Sequence, residues 1–180
     1  MISTKSKIRC PACHYENLPG AEYCAGCSMD LSYLDRPAAR TELEHSIMED
    51  TLSVLRPTLS VRISPTATLR EVIKIMVDKK IGAVLIVENN LLVGIFSERD
   101  VAMRIALRYL EIADRPIREF MTPNPEKLSI NHTLAFALNR MADGGYRHIP
   151  VTDDQNHPTG IVAVRDIIRY LDHKCLGGPE

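Results

Sequence analysis

The sequence predicts an α+β protein: two β-α-β-β-α repeats packed sheet to sheet about a pseudo-twofold axis, preceded by a small unit built on four cysteines. Three observations carry this expectation. The stretch Gly94-Ile95-Phe96-Ser97-Glu98-Arg99-Asp100 returns, degraded, as Gly160-Ile161-Val162-Ala163-Val164-Arg165-Asp166. Helix-like and strand-like apolar periodicities alternate in the same order ahead of both stretches. Upstream of both, Cys10-x-x-Cys13 and Cys24-x-x-Cys27 stand ten residues apart. A single β-α-β-β-α unit leaves one face of its sheet bare, and a second copy covers it.

The totals suit a globular protein. The chain has 180 residues, 45% apolar and 25% charged, enough for one ordinary domain or two small ones. A net charge of −1 gives no overall pull toward nucleic acid. Lys5, Lys7 and Arg9 make only a small basic patch, read as solvated charge. Met1 to Lys5 lacks the apolar core of a secretory signal, and the longest fully apolar run is Ala83–Val87. A cytoplasmic location with no membrane span is therefore expected. In that reducing setting, paired cysteines are metal ligands or catalytic thiols rather than disulfides.

Each Cys-x-x-Cys puts two thiolates on one tight turn, and two such turns complete a closed four-thiolate site. Cys10, Cys13, Cys24 and Cys27 are the metal ligands, and zinc is favoured over iron as a structural ion. A redox pair would need a βαβ setting for which the segment is too short. The span between the pairs has room for a small β-hairpin. His14 is a surface residue, since four cysteines already fill the site. Residues 8–32, with the Pro19-Gly20 turn, Tyr23 and Leu31, resemble the short zinc ribbons of many prokaryotic proteins. A polar linker follows over 33–44. Thr41-Glu42-Leu43-Glu44 then reads as a capped helix start. Leu43, Ile47, Leu52 and Leu55 share a face, and Pro57 ends the helix. That face either packs on the following domain or makes a dimer contact.

The first repeat, 45–108 with this leading helix, contains a β-segment at Leu59–Ile63 and a helix at Thr68–Lys80. Strands at Ala83–Val87 and Leu91–Phe96 flank an Asn89-Asn90 turn, and a helix over Ser97–Arg108 closes the unit. The second, 109–173, contains Leu128–Ile130, a helix at Thr133–Asp143, strands at His148–Thr152 and Gly160–Ala163, and a closing helix at Val164–His173. A tail over 174–180 carries Cys175, read as a thiol without a role. Thr68 and Met76 recur 65 residues on, and Gly94 and Asp100 recur 66 residues on. One extra residue in the second hairpin explains the difference.

With its order and duplication, this repeat resembles a tandem pair of CBS (cystathionine β-synthase) domains. The matching stretches are Ser64–Leu69, Gly94–Asp100, Phe120-Met121-Thr122-Pro123, Tyr146-Arg147-His148-Ile149-Pro150-Val151 and Gly160–Asp166. The resemblance implies adenine-nucleotide binding (AMP, ADP, ATP or S-adenosylmethionine) in the clefts between copies. It also implies a homodimer through helices, with Leu69, Ile73 and the Leu134–Met141 helix as candidate faces.

The residues support a nucleotide in their own terms. Asp100 and Asp166, one turn into helices, can accept ribose hydroxyls. Ser97 and Arg99 can donate to a phosphate. Gly82-Ala83 offers backbone to a flat base. Arg147 and His148 can add charge from the other copy. Ala163 stands where Ser97 stands, so the second site loses a phosphate donor. No catalytic constellation or phosphate loop emerges, and the protein is expected not to be an enzyme. The leading function is a regulatory nucleotide sensor acting through its dimer or an unknown protein partner. One alternative is a nucleic-acid-binding protein using the ribbon under nucleotide control. Another is a structural adaptor with inactive nucleotide sites.

Overall fold

A computed structural model describes residues 7–18, 21–32, 41–57 and 61–176. Lys5, the Pro19-Gly20 turn, most of the 33–44 linker, Leu59, the Cys175 side chain and the Gly177–Glu180 tail lie outside the described residues. Strands β1 (Ile8–Arg9) and β2 (Glu16–Asn17) pair antiparallel around the first Cys-x-x-Cys. A Tyr23–Asp30 bridge straddles the second pair in the same way. Among the described residues, pairing thus runs around each cysteine pair, a two-residue ladder at the first and a single bridge at the second, rather than in the expected hairpin between them. Each turn must aim two sulfurs inward, and pairing its flanks fixes that aim.

Helix α1 (Glu42–Glu49) starts on Thr41, whose hydroxyl accepts from the Glu44 N–H at 3.1 Å. It stops eight residues before Pro57. Thr51 leaves the helix to bridge Thr133, and Leu52–Leu55 form a 3-10 turn. The expected helix through Leu55 is therefore broken. Leu52 is wholly buried while Leu43 is 40% exposed, so the two do not share one helical face.

The first repeat continues with β3 (Arg62–Ile63), α2 (Leu69–Lys79), β4 (Ala83–Glu88) and β5 (Leu91–Ser97). The α2 start is a reciprocal cap: Thr68 Oγ1 accepts from the Glu71 N–H, and Glu71 accepts from the Thr68 N–H. Leu69, Val72 and Met76 bury one stripe of the helix. The expected closing helix over Ser97–Arg108 is interrupted. One α-turn, α3 (Glu98–Asp100), passes into a π-turn at Val101–Ile105, and α4 (Tyr109–Ile112) follows. The extra residue of a π-turn rotates the groups after it relative to an α-helix, and such turns favour functional sites. A 3-10 turn (Ile117–Glu119) and strand β6 (Thr122–Pro123) come next.

In the second repeat, α5 (Leu134–Gly144) is capped by Thr133, β7 (His148–Thr152) pairs with β8 (Pro158–Ala163), and α6 (Val164–Leu176) closes the chain. Leu128 makes a single parallel bridge to Val151 rather than the expected strand.

The duplication holds at the level of pairing. Ile63 pairs with Ile86 as Leu128 pairs with Val151; Ala83 pairs with Ser97 as His148 pairs with Ala163. Helices α2 and α5 both end on a left-handed residue, Lys80 at φ 53 and Gly145 at φ 63.

The chain forms two compact units: Met1–Leu55 with Asn131–Tyr146 and Val164–Glu180, and Arg56–Ile130 with Arg147–Ala163. In the first, α1 packs on α5 and α6. The Leu134 N–H donates to Asp50 O, and the Leu52 N–H to His132 O. Asp50 also accepts from Tyr170 and Lys174 of α6, each at 2.8 Å.

The second unit holds a sheet ordered β3-β4-β5-β6 and the β7-β8 hairpin, with β5 against β7. Leu92 and Asn156 exchange two hydrogen bonds across them. The core centres on Leu69, Val72, Ile86, Phe96 and Ile117. Here the Leu69 N–H donates to Arg115 O, and the Ile117 N–H to Ala67 O. These are the bonds of Leu134 and Leu52, displaced by 65 residues. The segment leading into each repeat therefore caps the helix start of the other repeat.

Candidate functional site

The four cysteines converge as expected. Their sulfurs all lie within 4.8 Å of one another, with Cys10–Cys27 at 3.6 Å and Cys13–Cys24 at 3.5 Å. Those separations are far beyond a disulfide bond of roughly 2.05 Å. They match the edges of a thiolate tetrahedron with metal–sulfur bonds of about 2.3 Å. The donor set therefore fits a structural zinc ion.

Both turns use one geometry. The Cys10 N–H donates to Tyr15 O and the His14 N–H to Cys10 O; the Cys24 N–H donates to Met29 O and the Ser28 N–H to Cys24 O. His14 and Ser28 both sit at φ 59. His14 is thus the left-handed closing residue of its turn, as Ser28 is of the other.

Asn17, only 3% exposed, donates to Tyr15 O at 3.0 Å and to Cys24 Sγ at 3.6 Å, and accepts from the Ala25 N–H at 2.9 Å. Burial opposes ionisation of Cys24. Donation from the Gly26 N–H, Asn17, the Cys27 N–H and Cys13 outweighs it and brings the thiol down to about 6. Burial pushes the Cys10 and Cys27 thiols up. A thiol lowered at Cys24 makes that residue a natural first ligand, and a bound cation favours the thiolate form of its other ligands. The core of this four-cysteine unit, with Cys10, Cys24, Met29 and Leu31, also packs against Phe136 of α5.

Most candidate nucleotide residues gather in the second unit. The β4–β5 ladder sets Ala83 opposite Ser97. Gly82 precedes it, and its carbonyl accepts from the Glu98 N–H at 2.9 Å. A Cβ on Gly82 would lie 2.9 Å from His148 Nε2 and 3.0 Å from Glu98 Oε2. Both polar atoms thus flank one point over the Gly82 backbone, no more than about 6 Å apart, a position that only glycine leaves open. Arg99 and Arg147, the sequence neighbours of Glu98 and His148, are exposed.

Asp100 is the hub. Its Oδ2 accepts from the Ser97 N–H at 2.9 Å and the Ser97 hydroxyl at 2.8 Å. Its Oδ1 accepts from Arg104 at 2.5 Å, and the same Arg104 nitrogen donates to Phe120 O at 2.5 Å. A hydroxyl, a carboxylate and a guanidinium are therefore joined in one network, suited to a polyol bearing an anion.

Asp166 stands in the other unit, 3.9 Å from Arg169. The tyrosine matching Arg104 there, Tyr170, donates to Asp50 instead.

Sequence reasoning did not single out Arg104, Glu98 or Asn17. Arg104 had a signal, the i,i+4 spacing from Asp100. Glu98 and Asn17 had none, because their partners come from other turns.

A model of the CBS domain family matches residues 54–107 and 117–173. The CBS domain-containing protein CBSCBSPB1 of Arabidopsis thaliana is 31% identical over 125 residues, covering 68% of this chain. The chain spans only 22% of that relative's length. Among solved structures, the CBS domain NE2398 is 26% identical with a TM-score of 0.60, over 66% of this chain and 92% of that one. The CBS domain protein PAE2072 of Pyrobaculum aerophilum, complexed with AMP, shares the fold at 22% identity and a TM-score of 0.59, over 71% of this chain and 99% of that one.

Proposed function

The chain belongs to the CBS domain family, and from that premise we propose that it is a non-catalytic regulatory module that senses an adenine nucleotide. The observation that carries this reading is the Ser97–Asp100–Arg104 network beside the open backbone of Gly82 and Ala83. The AMP bound by the similar Pyrobaculum protein supports the ligand class. In this proposal Asp100 receives the ribose, Ser97 and Arg99 the phosphate, and Gly82-Ala83 the base, with His148 and Arg147 closing the site. Asp166, in the copy of the motif that carries Ala163 in place of Ser97, belongs to a weaker second site.

The proposed organisation is a zinc ribbon at 8–32, a linker at 33–44, repeats at 45–108 and 109–173 related by a pseudo-twofold axis, and a tail at 174–180. Cys10, Cys13, Cys24 and Cys27 hold the zinc. Among the described residues no helix is long and apolar enough to cross a membrane, and the protein is proposed to work in the cytoplasm.

Titration calorimetry with AMP, ADP, ATP and S-adenosylmethionine tests the ligand. Binding of one of these, lost in Asp100→Ala, is expected. Wild-type affinity in that variant would overturn the site assignment.

The output is proposed to pass through a homodimer or a protein partner. An apolar groove of about 280 Å3 lies between α2 and the π-turn, lined by Ile73, Met76, Val77, Ile81, Val101 and Ala102, with Glu98 at its edge. Val77, Met103, Leu107 and Leu110 are exposed in the same unit. Ile73, one of the expected contact residues, lines this groove. Of the expected faces, Leu69 is buried, as are Leu134 and Met141 at the two ends of the Leu134–Met141 helix, whereas Ile73 and the half-buried residues of that helix keep surface for a contact. The nucleic-acid alternative loses part of its motive, since Lys7 is paired with Glu16 at 2.8 Å.

A further inference from the structure

The two repeats finish their helix starts differently. Thr68 caps α2 and Thr133 caps α5, but the residue three positions on is Glu71 in the first and Phe136 in the second. Glu71 is exposed and returns its carboxylate to the Thr68 N–H. Phe136 cannot close such a reciprocal cap. It packs instead against the core of the four-cysteine unit. His132 meets the Phe136 ring edge-on, with centroids 4.5 Å apart, where the first repeat has Ala67. The aromatic pair thus stands only in the repeat that receives the cysteine unit. The link from α5 to α6 is confined to the same repeat. The Asp50 carbonyl accepts from the Leu134 N–H at 2.9 Å, and its carboxylate accepts from Tyr170 and Lys174 of α6 at 2.8 Å each. The matching positions of the other copy carry Arg115, Arg104 and Arg108. Three cations cannot make that link.

Contacts therefore run from the cysteines to Phe136, through the first turn of α5 to Asp50, and on to α6. At their head is a two-state element, because a unit this small has no source of order to replace a bound cation. Cys13 and Cys27 are exposed, so a competing ligand can reach such a cation from solvent. We propose that the four-cysteine unit is a metal-responsive switch for the second repeat. Loaded with a thiophilic divalent cation, it holds α5 through Phe136 and α6 through Asp50. Stripped, it releases both helices and leaves α2 as it is. The cation is then an input separate from the nucleotide. The release reaches Asp166 on α6, and only that consequence for ligand binding rests on the nucleotide reading above.

The test is amide exchange on the full chain without nucleotide, read before chelation, after it, and after zinc is returned. The proteins are wild type, Phe136→Glu and Asp50→Ala. Phe136→Glu gives α5 the reciprocal cap that Thr68 and Glu71 make in α2, so the helix keeps its start while losing its contact with the cysteine unit. In wild type, chelation should speed exchange in α5 and α6 by about 5–150-fold, the usual span of coupling between two sites. Returned zinc should reverse the change, and α2 should not respond. Phe136→Glu should bind metal at the wild-type stoichiometry while neither helix responds to it. In Asp50→Ala, α5 should respond and α6 should not. A wild-type α6 indifferent to chelation, an equal response in α2, or a full response in Phe136→Glu would overturn the switch. Calorimetry that finds no AMP binding would overturn the nucleotide reading alone.

Discussion

Gly160 lies directly beneath Pro57: a Cβ on that glycine would sit 2.9 Å from Pro57 Cβ and 3.0 Å from Pro57 O. Gly94 stands in the same relation to the other lead-in, where its Cβ would meet the Met121 side chain and, at 3.2 Å, Thr122 O. The two glycines that head the repeated motif therefore mark where each repeat's lead-in crosses the last strand of the other.

Gly160→Ala is expected to destabilise more than Gly94→Ala. Pro57 offers ring and backbone, which cannot yield, whereas Met121 can swing aside. Overpacking of this kind costs about 1–3 kcal/mol. Urea unfolding measures both, and a Gly160→Ala midpoint equal to wild type would show that the crossing is not tight.

Metal removal should loosen α5 and spare α2. The ribbon core packs on Phe136, so losing the ion removes a partner from one face of α5. Hydrogen exchange before and after chelation reads this directly, with faster exchange expected in Leu134–Gly144 and little change in Leu69–Lys79. Freshly purified protein should carry about one equivalent of zinc. Uniform exchange across both helices, or less than half an equivalent of metal, counts against the arrangement.

Asn17→Ala should weaken metal binding by about 10–100-fold, the usual effect of removing an outer partner of a ligand. The side chain supports Cys24 and holds the Ala25 N–H in place. Competition with a chromophoric chelator gives the number, and unchanged affinity would make Asn17 a packing residue only.

The Asp50–Tyr170–Lys174 cluster predicts two pH limbs. Burial alone would raise the Asp50 carboxyl, but hydrogen bonds from Lys174 and Tyr170 hold it below the ordinary range. Its contribution is therefore complete above about pH 4 and fades as pH falls through the lower, folded value. Hydrogen bonds to Asp50 and Tyr170 hold the Lys174 ammonium well above its ordinary range. That contribution is complete below about pH 10 and is lost as pH rises beyond it. Thermal midpoints of Asp50→Asn should be lower on the plateau and flatter on both limbs; a profile parallel to wild type would deny the cluster its role.

Val77→Glu tests the apolar groove. If α2 and the π-turn meet a second copy, the charge should shift a dimer toward monomer in light scattering while leaving the fold intact. An unchanged dimer would move the interface elsewhere.

Much of the fold was legible because it is local. Thr68 and Thr133 announced helix starts, β7 follows its apolar run from His148 to Thr152, and the cysteine spacing dictated two sulfur-bearing turns. The helix expected through Leu55 failed for a non-local reason. Thr51 is drawn out of the helix by Thr133, more than eighty residues away. Nothing in the periodicity around Leu52 records that partner. Likewise, the helix expected through Arg108 could not reveal that Arg104 would reach Phe120 O as well as Asp100.

The sequence by itself determined the duplication, the convergence of the four cysteines and the carboxylate-bearing corner, because each depends on residue type at short, repeated spacing. Only the tertiary structure decided that each lead-in caps the other repeat's helix, that the four-cysteine unit rests on Phe136, and that Asp100 answers to Arg104. Those choices depend on which backbone groups and apolar faces are left unpaired once the local elements have formed. Residues far apart in the chain supply the partners.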